Sequence, residues 1–386
     1  MELFSADVRR NPGPTYDDLL KTAPVLHVAQ PDLWVVSTYD LVKRVLTDHD
    51  AFSSALSDGP ATRMWLLFLD PPRHTKLRGL VTRAFTPRAV AALEPRIRAV
   101  SRGLLEPLAA RDAFDLVVEY ALPLPLLVIA EMLGAPARDH PTFRSWSEDV
   151  LGLVHTVSGS PGAAAAVERF GATHDAMRTY LEELLAERRA RPRDDLLTAL
   201  GDACVEGERL TQDEILGFFE LLLVAGHETT TNLVANAVLA FAEHPDALAA
   251  VRADAGLLPT AVEEVLRLRS PVQTTFRVAR RDIELGGAEI PKGARVLPLI
   301  GAANRDPSRF AAPERFDVGR DPNPHLAFGH GIHFCIGAPL ARLEARIALT
   351  DLLSTFASFE LVTREWEPRD PFHVHGPASL PIRVTR

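Results

Sequence analysis

The chain has 386 residues, 47% hydrophobic and 24% charged, with a formal net charge of −9. That composition is ordinary for a globular protein, and the acidic balance argues against a general nucleic-acid binder, so any basic docking surface must be local. Two cysteines cannot build a disulfide framework, and "MELFSADVRRNPGP" holds no apolar leader, so a cytoplasmic protein is expected.

No linker, repeat or low-complexity block interrupts the chain, so residues 1–386 are read as one large domain. Apolar stretches such as "FFELLLVAG" fall short of the roughly 20 residues a membrane span needs. Residues 23–38 read as two short strands about a turn at Gln30, Pro31 and Asp32. From residue 39 to about 270 the apolar spacing is mostly three and four, as in amphipathic helices. Within this stretch Thr211 and Glu214 form a capping-box pattern, with Leu210 and Ile215 as a hydrophobic staple. The helix they start is expected to run to His244, where Pro245 stops it, a length of about 50 Å. A helix so long and so apolar must cross the centre of the molecule. Strand signals return near residues 275–278, 283–285 and 294–299, a last helix follows Cys335, and the chain ends extended. The expected fold is mainly α with a small β portion built from both ends.

The stretch "FGHGIHFCIG", residues 328–337, surrounds Cys335 with three glycines and two histidines. Glycines let a backbone turn tightly and approach a flat partner closely. The following helix directs its N-terminus at Cys335, which favours a thiolate by about 1–2 kcal/mol. That is too little to ionise a thiol fully at neutral pH, whereas a bound metal would do so. Zinc is one candidate, since His325, His330, His333 and Cys335 lie close in sequence, but no second cysteine pairs with the first. A lone thiolate also suits haem iron, where it favours O–O cleavage.

Six positions of this stretch, Phe328, Gly329, Gly331, His333, Cys335 and Gly337, resemble the haem-binding signature of the cytochrome P450 superfamily without a gap. The resemblance implies haem b with Cys335 as its axial metal ligand, His333 on a propionate and Phe328 shielding the sulfur. Gly337 closes the motif. "AGHETT", Ala225 to Thr230, is similar to the family's oxygen-binding motif in the long helix. There Gly226 lies over the haem, Thr229 hydrogen-bonds dioxygen and Glu228 supplies protons. The residues taken alone allow a plainer reading, a threonine bonded back to a carbonyl one turn earlier.

Two further patterns follow the same resemblance. Glu264 and Arg267 match a Glu-x-x-Arg motif expected to brace the cysteine loop with Arg315; taken alone they read as a solvated surface pair. His74, Arg78 and Arg277 match a His-x3-Arg pair and a strand arginine that clamp the haem propionates with His333. The activity implied is monooxygenation of a small organic substrate, free or carrier-bound, by hydroxylation or epoxidation in a biosynthetic pathway. Electrons would come from a ferredoxin and its reductase, with Arg73, Lys76, Arg83, Arg342 and Arg346 as docking candidates. Oxidative coupling, peroxide-driven oxidation and a non-catalytic haem sensor stay open. The resemblance implies a substrate pocket from residues 55–68, 151–170, 222–225, 272–276 and 377–380; Trp65, Phe68, Val272 and Phe276 would give it apolar walls, and a loop within 151–170 is expected to act as a lid.

Overall fold

The computed structural model describes residues 3–55, 65–156, 163–205, 207–370 and 372–386. Its organising element is the helix Gln212–Glu243, 32 residues or about 48 Å long. The predicted capping box starts it. The Thr211 hydroxyl accepts from the Glu214 N–H at 3.2 Å, and Glu214 Oε2 accepts from the Thr211 N–H at 2.9 Å. It ends at His244, and Pro245 opens the next helix.

Between Ile215 and Phe241 this helix buries most of its side chains, Phe218, Phe219, Leu223, Leu233, Val234 and Val238 among them, and stays open only around Leu221, Ala225 and Thr229. A helix apolar all round must be enclosed by others. Pro123–Met132, His140–Thr156, Leu258–Leu268 and Ala338–Thr355 pack against it. Each fully buried Leu, Val or Phe contributes about 1.5–3 kcal/mol, so the helix is held by tertiary packing rather than by its ends.

The β portion draws on both ends of the chain, as expected. Val25–Val28 and Leu33–Val36 pair antiparallel. Arg295–Pro298 joins them parallel to Leu33–Val36, and Arg277–Ala279 and Phe52–Ser53 complete a five-stranded sheet. Ser358–Leu361, Pro381–Thr385 and Ala113–Asp115 form a second, antiparallel sheet. Ala113–Asp115 lies in the stretch read as helical; pairing with the distant C-terminal strand overrides local preference. The strand Ala288–Ile290, absent from the expectation, pairs with Ile283–Leu285 across Gly286 and Gly287, whose φ values of 58° and 82° suit a tight hairpin turn.

Among the described residues no helix is long and apolar enough to cross a membrane. The expected lid falls partly on residues 157–162, and the 55–68 pocket segment partly on 56–64; both stretches lie outside the described residues.

Candidate active site

The cysteine loop is a close-fitted turn. Gly329 and Gly331 take φ of 71° and 73°, and a Cβ on Gly331 would come within 3.3 Å of the Leu46 carbonyl. The Cys335 N–H donates to the Phe328 carbonyl at 2.9 Å. The helix Ala338–Thr355 begins three residues after the cysteine, and the Gly337 and Ala338 N–H groups donate to its sulfur. Burial nevertheless pushes the thiol up, outweighing these donors and the nearby Arg78 and Arg342. The helix terminus alone does not make a thiolate here.

Around this loop the predicted basic residues converge. His74 and Arg78 lie on Arg73–Ala84, and Arg277 begins its predicted strand. The His74 and His333 rings are 4.1 Å apart. Arg78 Nη2 donates to the Phe334 carbonyl at 2.5 Å, and Arg277 is buried, with Nη1 donating to the Phe276 carbonyl. Burial first, then the crowd of cations, pushes His333 down to about 3 and His74 to about 4. Both ring nitrogens of His74 are buried without a partner. Buried polar groups of this kind call for acceptors, and two carboxylates lying beside the sulfur would supply them.

The cluster has a support the sequence reading missed. Asp70 accepts from Ser53 Oγ, from the Ser54 N–H at 2.9 Å and from Arg280 Nη2 at 2.5 Å. Ser54 Oγ in turn lies 3.0 Å from His333 Nε2. The only sequence signal for it was position, directly before Pro71 and Pro72.

Behind the loop, Glu264 and Arg267 are both fully buried, not a solvated pair. Arg267 donates to Glu264 through Nε and Nη2, each at 2.8 Å. The second arginine is Arg320, whose Nε reaches both Glu264 oxygens at 3.1 Å. Arg315 is exposed and enters the network through its carbonyl, which accepts from Arg267 and Arg320. The chain therefore corrects the expectation by five positions; the loop's course, not a short motif, decides which guanidinium turns inward. Glu263, next in line, takes Arg342 in two 2.7 Å bonds and His325 at 3.0 Å, and these hold its carboxyl down at about 2 against burial. Arg342 also lies 4.5 Å over the Phe328 ring. His325 is thus committed to Glu263, and no group of three metal-ligating side chains forms among the described residues.

Of the docking candidates, Lys76 pairs with Glu208 and Arg342 with Glu263. Arg346 is exposed, and the side chain of Arg83 lies outside the described residues.

On the long helix, Thr229 Oγ1 donates to the Ala225 carbonyl at 2.6 Å, the plain helical bond. A Cβ on Gly226 would come within 3.2 Å of Ile129 Cδ1, so its smallness admits Pro123–Met132 at close range. Glu228 is buried, which pushes its carboxyl up to about 7, and Arg369 pulls the other way. Thr230 donates to Glu344, a fully buried carboxyl pushed up to about 8. Glu344 went unnoticed because a single acid in an amphipathic helix looks like any surface residue.

One expected pocket residue does other work. Trp65 is buried and donates its indole N–H to Glu220 at 2.9 Å, while His174 donates to the same carboxylate at 2.5 Å. Phe276 packs edge-on to Phe372. Phe68 stacks on Trp65 with centroids 6.0 Å apart, and Val272 bridges to Val374.

A family model described as Cytochrome P450 matches residues 164–379. Cytochrome P450 109 of Bacillus spizizenii is 44% identical over 387 residues, covering 100% of this chain and 94% of the relative. The chain belongs to the cytochrome P450 family. The P450 monooxygenase PikC of Streptomyces venezuelae is 42% identical, over 98% of this chain and 92% of its own. The crystal structure of CYP109E1 from Bacillus megaterium in complex with corticosterone superposes with a TM-score of 0.90 at 38% identity, covering 98% of this chain and 100% of that one. This P450 is accordingly a haem-thiolate monooxygenase that binds haem b. Its residues fit that group: an orphaned imidazole and three further basic side chains stand beside a cysteine already bonded by two N–H groups.

Proposed function

We propose that Cys335 is the thiolate that holds the haem iron, and that His74, Arg78, Arg277 and His333 hold its two propionates. The convergence of these four residues about the unpartnered His74 carries the reading. Phe328, Gly226 and Gly337 shape the surfaces on either side. Thiolate-bound haem supplies dioxygen reduction and O–O cleavage.

The chain's own residues manage protons and water. Glu228, with a carboxyl near neutrality, keeps a proton at hand at physiological pH and can release it. The Thr229 hydroxyl, bonded to Ala225 O, is a short-range donor that turns by one rotamer. Burial in the apolar long helix keeps bulk water from Glu228, while Thr229 stands partly open beside it. We read the substrate as a small apolar molecule, hydroxylated or epoxidised in a specialised pathway, with electrons from a ferredoxin and its reductase and the chain acting as one cytoplasmic domain. The steroid complex of a similar structure supports that substrate class.

Carbon monoxide added to the reduced protein is expected to give the strongly red-shifted band of thiolate ligation, and Cys335→Ser to abolish it. An unshifted band in the wild type would refute the assignment. Titrating corticosterone and other apolar probes against the haem absorption then tests the substrate class.

A further inference from the structure

We infer that Arg369, from the C-terminal segment, is the residue whose charge governs the protonation of the Glu228 carboxyl; this rests on the proton-carrying role proposed for Glu228. Arg369 Nη1 stands 3.9 Å from Glu228 Oε1, and both side chains are largely buried. The guanidinium is anchored rather than free to wander. Its Nε donates to the Pro377 carbonyl at 3.3 Å, and its main-chain N–H to the Gly376 carbonyl at 2.9 Å. Its own carbonyl accepts from Arg9 Nη1 at 3.0 Å, so the N-terminal helix Ala6–Arg10 braces the turn from outside. The Ala378 N–H donates to the Glu367 carbonyl and closes the loop.

Among the described residues, the charged and titratable neighbours of the pair are engaged elsewhere. Asp115, on the strand Ala113–Asp115, acts on Arg369 but is engaged by Ser379 Oγ and the Leu380 N–H. His227, beside Glu228, turns the other way. It donates from Nε2 to the Leu122 carbonyl at 3.1 Å and accepts from Ser147 Oγ at 2.7 Å. Burial and then Arg369 push it down to about 4, so it is neutral. Arg369 is thus the cation acting on Glu228. At 3.9 Å without a hydrogen bond it acts as a charge, strong enough to offset part of the burial and too distant to fix the carboxylate. That balance leaves Glu228 near neutrality, where a donor is useful.

The test is an infrared titration of the haem-loaded protein between pH 5 and 10, with Glu228→Gln used to identify the Glu228 carboxyl band. The wild-type midpoint is expected at about 7. Arg369→Gln should raise it by about one pH unit or more, and Arg369→Lys should leave it within a few tenths. An Arg369→Gln midpoint equal to wild type overturns the inference; Arg369→Met, which keeps the bulk, repeats the test if the glutamine variant does not fold. Dioxygen consumption with a surrogate ferredoxin and reductase, without substrate, is followed over the same pH range. Its alkaline decline should move up with the infrared midpoint in Arg369→Gln. If the midpoint moves while neither Glu228→Gln nor Arg369→Gln alters that decline, the coupling stands and the proton role of Glu228 falls.

Discussion

Behind the cysteine loop, Glu263 and Glu264 each meet several donors; along the long helix and its neighbour, Glu344 meets one and Glu228 has only a cation 3.9 Å away. All four are glutamates removed from water to differing degrees. Arg342 and His325 hold Glu263 at about 2, whereas burial carries Glu228 to about 7 and Glu344 to about 8. The difference lies in how many donors compensate the lost hydration. One side of the molecule is built as a rigid support with permanent charges. The other holds carboxyls that keep or release a proton near neutral pH.

The sharpest way to break this contrast is Arg267→Ala, which strands the buried Glu264 carboxylate. Urea denaturation should show a loss of about 3–5 kcal/mol, together with poorer haem retention. A loss below about 1 kcal/mol would mean that the support is not a permanent ion pair. Glu263→Gln should cost about 1–2 kcal/mol at pH 7. The folded carboxyl titrates at about 2 and an unfolded one near 4.5, so its contribution is complete above 4.5 and disappears as pH falls toward 2. Melting curves of wild type and variant should therefore converge with acid.

Glu344 should show the opposite sign. The unfolded chain releases this proton near pH 4.5 and the folded one at about 8, so stability falls as pH rises between them. Glu344→Gln stays neutral throughout. Its melting temperature relative to wild type should climb across that window and level off above pH 8; a flat difference would show that Glu344 is ionised in the fold. The smallest effect is expected at the helix cap, where Thr211→Ala should cost about 1 kcal/mol with no pH dependence above 5.

How far the chain was legible depended on the range of the interaction. Thr211 with Glu214, His74 with Arg78, and the loop from Phe328 to Gly337 lie within a few residues, and each forms where its spacing indicated. Glu264 and Arg267 pair as read, but Arg315 was expected where Arg320 stands, because neighbouring arginines are equivalent until the backbone turns one of them inward; Glu263, with its own partners, went unread. Trp65 read as a pocket wall because an indole is apolar; its N–H found Glu220 on another helix. Arg369 and Glu344 carried no local signature, and Asp70 only its place before two prolines.

What the amino-acid order determined alone was the set of parts: a long apolar helix with its cap, strands at both ends, and a cysteine turn of a recognisable kind. Helical periodicity, capping and tight turns are satisfied within a few residues, so they are written locally. Only the folded chain decided which charges share a buried space. Burial and ion pairing depend on what distant segments bring within a few ångströms, and at those distances they set whether a given carboxyl is a fixed anion or a proton carrier.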